Sequence, residues 1–328
     1  MVPIVIFLRP KQKEETIKNG QNQRVETLHK ILAEFGFNVQ MVEVGRFPTL
    51  KVYRRVANLL ATPNSVMAIT SFILLPWCLT PIGNRKLKII DMMDSLTKTR
   101  QFSKQNIARW LVGRIEYLLS IFFKKEHIRI YISEHDRSSD KKITPKGIST
   151  FVIPNAVSVT RTVEASTLKR LVFVGDLNYA ENRKMLSELC TVLETQEMEL
   201  NIYGAGDSSN ISRSGNHIFH GTREDLELYQ PGDLHLAPVR NTHGLSSKVF
   251  QAITRGIPVL STENGTNGIN RCLGLYVEND LRIWPVVIKE LIEMSKLSPL
   301  EVHWNGFECN EREGLRSALT NLLTKRNV

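Results

Sequence analysis

Residues 225–269 read DLELYQPGDLHLAPVRNTHGLSSKVFQAITRGIPVLSTENGTNGI, and this stretch decides the fold of the chain. Residues 233–238 predict a strand, because polar and apolar residues alternate there before a turn-forming run. A helix is predicted to follow, with Ser246 or Ser247 as its N-cap and Gly256 as its stop. Pro258 cannot continue that helix, and residues 259–262 predict a second strand. The stretch therefore predicts one strand–helix–strand unit of a parallel sheet.

The start of the predicted helix is chemically suited to a diphosphate. A helix N-terminus presents backbone N–H groups and the positive end of a dipole, and Lys248 adds a cation in the first turn. Gly244, just before the helix, lets backbone amides face a ligand. A plain strand–helix–strand unit in a protein core, with Lys248 as a solvated lysine, explains the same pattern. The pattern alone leaves both interpretations open.

The segment resembles the donor-binding region of GT-B glycosyltransferases of family 4, which use nucleotide sugars. The matching positions follow the order and spacing of that family: Ala237, Pro238, Gly244, Lys248, Ala252, Gly256, Pro258, Val259, Thr262, Gly268 and Ile269. The chain departs from the family at its two glutamates, whose places are taken by His243 and Gln251. Gln251 can still hydrogen-bond a ribose hydroxyl, although less strongly than a carboxylate does.

The resemblance implies a set of donor-binding residues in loops that follow predicted strands. These are Gly20, Gly175, Asn178, Tyr203, Gly204, Gly206, Gly221, Thr222, Gly244, Leu245, Ser246, Ser247, Lys248 and Gln251. Gly20 lies in the loop before the first helix, which in the family lies beside the transferred sugar. Lys248 and His243 are the implied catalytic residues on the donor side.

Asp94 is the catalytic candidate on the acceptor side. It follows the apolar run of residues 87–93, and an acid at a strand end can act as a general base or anchor an acceptor hydroxyl. The alternative is that Asp94 caps the helix that would begin at Ser95. Asn178 has a similar alternative as a capping residue.

Strand-like and helix-like segments alternate along both halves of the chain, which predicts an α/β fold with parallel sheets. A chain of 328 residues is expected to form two domains of about 150 residues each. We expect two Rossmann-like domains of GT-B type with a cleft between them. The expected boundaries give an acceptor domain at residues 1–160, a donor domain at 161–305, and a last helix at 306–328 that crosses back to the first domain.

Charge and composition narrow the classes of partner. The formal net charge is +10 and the isoelectric point is about 9.5, which suits an anionic partner. No zinc-finger spacing, RNP motif or basic heptad region is present, so nucleic acid is not expected as a partner. The four cysteines form no Cys-x-x-Cys unit, which disfavours a metal cluster. We expect no metal and no cofactor beyond the nucleotide-sugar substrate.

Residues 110–125, Trp110 to Lys125, are apolar at helical spacing and carry basic residues around them. Core packing is the default explanation of this pattern, and contact with a membrane surface is the alternative, which a lipid-linked acceptor would require. The charged start of the chain does not resemble a signal peptide. A cytoplasmic protein with peripheral contact at the inner face of the cell membrane is therefore expected.

The resemblance implies a hexosyltransferase that retains anomeric configuration. Its partners would be a nucleotide sugar and a glycan or lipid-linked acceptor in the synthesis of a surface polysaccharide. Two alternatives share the fold: a nucleotide-sugar epimerase, and a catalytically impaired nucleotide-sugar-binding partner of an active transferase.

Overall fold

The computed structural model describes residues 3–10, 20–45, 47–69, 72–92, 114–115, 117–118, 121, 126–154, 163–206, 216–223, 228–240, 246–269, 272–303 and 309–324. The chain divides into two compact units. One comprises Met1–Ala156 together with Phe307–Val328, and the other comprises Val157–Gly306. The expected boundaries at residues 160 and 305 lie close to these limits, and the acceptor and donor roles of the two units remain predictions.

The first unit contains a six-stranded parallel sheet with the strand order β2-β1-β3-β4-β5-β6. Its strands are β1 (Ile4–Pro10), β2 (Asn38–Val44), β3 (Ser65–Ile69), β4 (Leu87–Met92), β5 (Ile128–Tyr131) and β6 (Ser149–Val152). All five residues of β3 are buried, as expected for a parallel strand covered on both faces.

Helices cover both faces of this sheet. They are α1 (Gly20–Glu34), α2 (Leu50–Leu60), α3 (Pro81–Lys86), α4 (Glu134–Ser139) and the last helix of the chain, α8 (Cys309–Thr324). Val56 and Leu60 of α2 pack on one face with Trp77. Leu28 of α1 and Leu315 of α8 belong to the core on the other face. The last helix of the chain is thus part of the core of the first unit.

The second unit contains another six-stranded parallel sheet, with the order β12-β11-β10-β7-β8-β9. Its strands are β7 (Arg170–Val174), β8 (Leu200–Tyr203), β9 (His217–Gly221), β10 (Asp233–Ala237), β11 (Val259–Ser261) and β12 (Leu275–Val277). Its helices are α5 (Ala180–Val192), α6 (Ser247–Thr254) and α7 (Trp284–Leu297). Helix α6 packs with Val172 and Val259 on one face, whereas Leu186 of α5 and Ile288 of α7 pack on the other.

The α/β class with two parallel sheets, predicted from the sequence, is confirmed. Residues 233–262 form the predicted strand, helix and strand as β10, α6 and β11. One sequence-based expectation is wrong. The mostly apolar sequence of residues 65–75 predicts one strand, but β3 ends at Ile69 and a 3-10 helix spans Phe72–Leu79 with Pro76 inside it. Pro76 lacks the N–H that a central strand must donate.

Among the helices in the part of the chain that the structure describes, none is long and apolar enough to cross a membrane.

Candidate functional site

Three loops of the second unit meet where β7, β8 and β9 end, and we call them the edge loops (residues 175–179, 204–206 and 221–223). The Gly175 N–H donates to the Tyr203 carbonyl at 2.8 Å, and the Leu177 N–H donates to the Ala205 carbonyl at 2.7 Å. The Gly204 N–H donates to the Gly221 carbonyl at 2.9 Å. Because parallel strands end at one edge, the sheet brings these sequence-distant glycines together.

Glycine is required at two positions in these loops. Gly204 has φ +154°, and a Cβ there would lie 1.7 Å from the Gly175 carbonyl oxygen. Gly206 has φ +106°, and its Cβ would lie 2.9 Å from the Asn178 nitrogen. The first two edge loops therefore pack backbone against backbone, an approach that only glycine permits.

Tyr203 and His220 form a stacked pair beside the edge loops. Their ring centroids are 4.6 Å apart with an interplanar angle of 12°. His220 Nε2 lies 2.7 Å from Asn201 Oδ1. Burial lowers the pKa of His220, and the charges of Arg170 and Arg223 lower it further. His220 is therefore neutral at physiological pH and well suited to hydrogen bonding and stacking.

Helix α6 points its N-terminus at this edge of the sheet. Ser246 is its N-cap, in extended conformation and with no side-chain capping hydrogen bond. The first hydrogen bond within the helix runs from the Phe250 N–H to the Ser246 carbonyl at 3.0 Å. The N–H groups of residues 247–249 precede that bond and have no carbonyl within the helix to bind. Ser246, Ser247 and Gln251 are all partly buried.

Lys248 reaches from the first turn of α6 to the first edge loop. Its Nζ donates to Asn182 Oδ1 at 3.0 Å and lies 5.6 Å from the centroid of the Phe173 ring. A Cβ on Gly175 would lie 3.1 Å from the same Nζ. The absence of a side chain at Gly175 thus makes room for the ammonium group.

Burial lowers the pKa of Lys248 to about 8, although the negative charge of Asp176 acts in the opposite direction. The cation is therefore held in surroundings that solvate it poorly, and an anionic ligand would compensate it. His235, in the middle of β10, is fully buried, and burial together with the charge of Lys248 lowers its pKa to about 3. His235 is therefore uncharged at neutral pH.

Asn182 links α5, α6 and the first edge loop, a role that the sequence did not reveal. Its Oδ1 accepts from Lys248, and its Nδ2 donates to the Asp176 carbonyl at 2.7 Å. A contact between residues 66 positions apart leaves no local signal in the sequence. Asn178 is exposed, and its backbone N–H donates to Asp176 Oδ1 at 2.9 Å.

The loop after β10 is fastened to the turn after β11. Ser261 Oγ donates to the Ala237 carbonyl at 3.0 Å, and Thr262 Oγ1 donates to the Val239 carbonyl. A Cβ on Gly265 would lie 2.1 Å from Ser261 Oγ, so the turn passes very close to the strand. These contacts tie residues 237 and 239 to the end of β11 and to the residue that follows it.

The remaining predicted site residues have varied locations. Asp94, His243, Gly244 and Leu245 lie outside the described residues. Thr222 follows Gly221 in the third edge loop. Gly20 is the first residue of α1, in the first unit. Their proposed roles remain predictions.

A neighbouring acid of the first unit, Asp91, is a structural residue. It is fully buried, and Arg24 binds it with Nε at 3.0 Å and Nη2 at 2.7 Å from Oδ1. Arg24 also donates to the Ile153 carbonyl, which joins α1, β4 and the end of β6. Farther along, Ser133 caps α4 by accepting from the Asp136 N–H at 3.2 Å.

Within the described residues, no three His, Cys, Asp or Glu side chains are grouped as metal ligands would be. The expectation that no metal takes part stays a prediction.

Comparison with known proteins gives a family for the second unit and a fold for the chain. Residues 168–292 match the sequence model of the family described as Glycosyl transferases group 1. No curated protein sequence matches the chain.

Solved structures resemble the chain over almost its full length. Sucrose-phosphate synthase from Thermosynechococcus elongatus aligns with a TM-score of 0.65 and 12% identity, covering 98% of this chain and 95% of that one. Anabaena Alr3699/HepE, in complex with UDP and glucose, aligns with a TM-score of 0.63 and 11% identity, covering 99% and 95%. A glycosyltransferase from Rickettsia africae aligns with a TM-score of 0.56 and 11% identity, covering 99% and 97%.

Identities this low show the fold alone, and the family match adds the chemistry expected of the second unit. Both agree with the resemblance that the sequence motifs indicated. Residues 168–292 thus match the family of Glycosyl transferases group 1, in a chain that has the fold of GT-B glycosyltransferases.

Proposed function

We propose that the chain transfers a sugar from a nucleotide-sugar donor and that the donor diphosphate binds between the first edge loop and the N-terminus of α6. The observation that carries this proposal is the position of Lys248. Its ammonium group is held by Asn182 next to Gly175, at the edge of the sheet where ligands of parallel α/β sheets bind. The family match over residues 168–292 supports the same chemistry.

Lys248 and the first-turn N–H groups of α6 would stabilise the leaving group. When the bond between sugar and diphosphate breaks, negative charge develops on the departing diphosphate oxygen. A fixed cation and oriented N–H groups stabilise that charge without having to reorganise during the reaction. The low polarity around Lys248 strengthens this interaction, because the charge is poorly screened there.

The other residues of the proposed donor site would hold the nucleoside and the sugar. Gly204, Gly206, Gly221 and Thr222 belong to the edge loops where the family resemblance places the base. Gln251, one turn after Lys248, would hydrogen-bond the ribose in place of a carboxylate. We propose His243 at the sugar, with retention of anomeric configuration.

For the acceptor we propose a glycan or a lipid-linked saccharide of a surface polysaccharide, with Asp94 as its anchor or general base. Similar structures differ in the compounds that they are named for or bound to. They include a sucrose-phosphate synthase and a complex with quercetin. Proteins of this fold therefore differ in the compounds that they bind or make. The acceptor of this chain has to be identified by experiment.

Replacing Lys248 with alanine is expected to abolish the thermal stabilisation that UDP gives to the protein. UDP is the chosen probe because similar structures contain it. A hydrogen bond to a charged group contributes about 1.5–3 kcal/mol, so UDP should bind roughly 10- to 150-fold more weakly. Since a ligand of the folded state raises the melting temperature, thermal shift measures the loss directly.

Lys289→Ala, which removes an exposed lysine of α7, is the matched control and should keep the full UDP shift. An unchanged shift in Lys248→Ala would remove Lys248 from the donor site. Labelled-donor assays with lipid extracts then separate the candidate activities. Transfer supports the transferase, donor turnover without acceptor supports the epimerase, and UDP binding with neither supports the impaired partner.

The affinity for UDP is expected to fall as the pH rises above about 8. The pKa of Lys248 in the free protein is lowered to about 8, so its cation is present below that pH and is lost above it. Bound diphosphate favours the protonated lysine, so binding above this pH requires proton uptake. Affinity should then fall by up to about tenfold for each pH unit.

Titration calorimetry between pH 7 and 10 tests this dependence, because the phosphates of UDP are already ionised there. Lys248→Arg keeps its charge over the whole range and should show no such decline. A flat profile for the unmodified protein would contradict the assignment of Lys248 as the cation that binds the diphosphate.

A further inference from the structure

The first unit carries a run of sequence with an unusual charge. Between Glu43 and Asp91 the chain has no acidic residue. The same interval holds seven basic residues: Arg46, Lys51, Arg54, Arg55, Arg85, Lys86 and Lys88. A formal charge of +7 is thus concentrated in 47 residues of a chain whose total is +10. This interval includes α2, the 3-10 helix Phe72–Leu79 and α3.

The cations on α2 are arranged in a way that costs the helix stability. Lys51, Arg54 and Arg55 are exposed, and spacings of three and four residues place them on one face. Like charges at such spacings repel each other, and cations near a helix N-terminus oppose the helix dipole. No acid occupies the first turn to compensate. An anionic partner outside the helix would relieve both costs.

Large apolar side chains are exposed beside these cations. Phe47 is 69% exposed, Leu50 is 65% exposed and Leu79 is 61% exposed. Phe47 and Leu50 lie at the start of α2, whereas Leu79 ends the 3-10 helix. Exposed apolar side chains that cluster beside charged residues are typical of interaction surfaces.

The two segments that carry these side chains are tied together. Trp77 Nε1 donates to the Gly45 carbonyl at 3.0 Å, and the Trp77 side chain is buried in the same core as Val56 of α2. Phe47 is two residues from one end of that bond, and Leu79 is two residues from the other. Both segments also follow strands, β2 and β3, at the carboxyl edge of one sheet. The two segments therefore lie next to each other in the first unit.

We propose that this surface, Phe47, Leu50 and Leu79 with Lys51, Arg54 and Arg55, docks the first unit onto an anionic lipid bilayer. The apolar side chains would enter the headgroup region, and the cations would contact lipid phosphates. A free phosphate or a nucleic acid would satisfy the cations but leave the apolar side chains without a role. This set of residues does not include residues 110–125, most of which lie outside the described part of the chain.

Vesicle flotation tests the proposal with the full-length protein. The protein should float with vesicles of phosphatidylcholine and phosphatidylglycerol, and much less with phosphatidylcholine alone. The double variant Phe47→Ser/Leu50→Ser should bind the anionic vesicles at least about tenfold more weakly, because it removes two apolar anchors. Lys51→Gln/Arg54→Gln should lose about fivefold for each cation and become less sensitive to salt.

Leu297→Ser is the matched apolar control, because Leu297 is 91% exposed but lies in the second unit. It should bind vesicles as the unmodified protein does. The UDP thermal shift should be the same in every one of these proteins, so a failure of docking is distinguishable from a failure of the donor site. The proposal is overturned if the unmodified protein does not float. It is equally overturned if Phe47→Ser/Leu50→Ser floats normally. The apolar side chains would then have no role, as expected for a site that binds only an anion, such as free phosphate or a nucleic acid.

Discussion

Gly204→Ala is expected to destabilise the second unit by about 3 kcal/mol and to abolish UDP binding. The added Cβ would lie 1.7 Å from the Gly175 carbonyl oxygen, a backbone atom that cannot move without displacing the first edge loop. The φ of +154° is itself unfavourable for a residue with a side chain. Displacing Gly175 also disturbs the space that Lys248 occupies, so binding and stability should fall together.

Gly221→Ala separates the two causes of lost stability, which are the backbone clash and the unfavourable φ. Gly221 also has a positive φ, +69°, but a Cβ there meets nothing within 4 Å. Gly221→Ala should lower the free energy of unfolding by only about 1 kcal/mol, because it introduces the unfavourable φ without a clash. Chemical denaturation followed by tryptophan fluorescence measures both variants. If Gly204→Ala were no more destabilising than Gly221→Ala, this would contradict the close backbone packing of the first two edge loops.

Asp91→Ala is expected to destabilise the first unit by about 3–5 kcal/mol, because it leaves a buried guanidinium without its partner. The side chains of Arg24 and Asp91 are both 0% exposed. Burial raises the pKa of Asp91, while the charge and hydrogen bonds of Arg24 act in the opposite direction. Loss of the carboxylate would therefore leave the cost of burying Arg24 uncompensated.

Glu43→Ala is the control for Asp91→Ala, since Glu43 pairs with Arg9 at 2.6 Å on the surface of the same unit. An exposed pair contributes less than about 1 kcal/mol. The double variant Arg24→Leu/Asp91→Leu removes both buried charges and should recover much of the lost stability. Thermal and chemical unfolding report these differences. Equal effects of Asp91→Ala and Glu43→Ala would show that the buried pair is not a major stabilising contact.

The strands and helices of the second unit could be predicted because their signals are local. Apolar alternation indicated β10, and the Gly256–Pro258 break separated α6 from β11. Local signals failed at residues 65–75, where a mostly apolar run, interrupted at Thr70 and Ser71, suggested one strand. There the strand ends at Ile69, and Phe72–Leu79 form a 3-10 helix that places Trp77 in the core.

The candidate site could be predicted only in part. Glycines after strands marked the edge loops, and Lys248 was recognisable at the start of its helix. Asp91 precedes the candidate Asp94 by three residues. Asp91 proves to be the partner of Arg24, 67 residues away, and neither residue shows that pairing locally.

By itself, the sequence determined the α/β class, the glycines of the edge loops and the presence of a lysine at a helix N-terminus. These properties follow from periodicity, backbone freedom and helix ends, which are set within a few neighbouring residues. Only the tertiary structure decided that Asn182 holds Lys248, that Gly175 makes room for its ammonium group, and that burial lowers its pKa to about 8. Those properties depend on which strands end side by side, since a pKa and a hydrogen bond are set by neighbours in space.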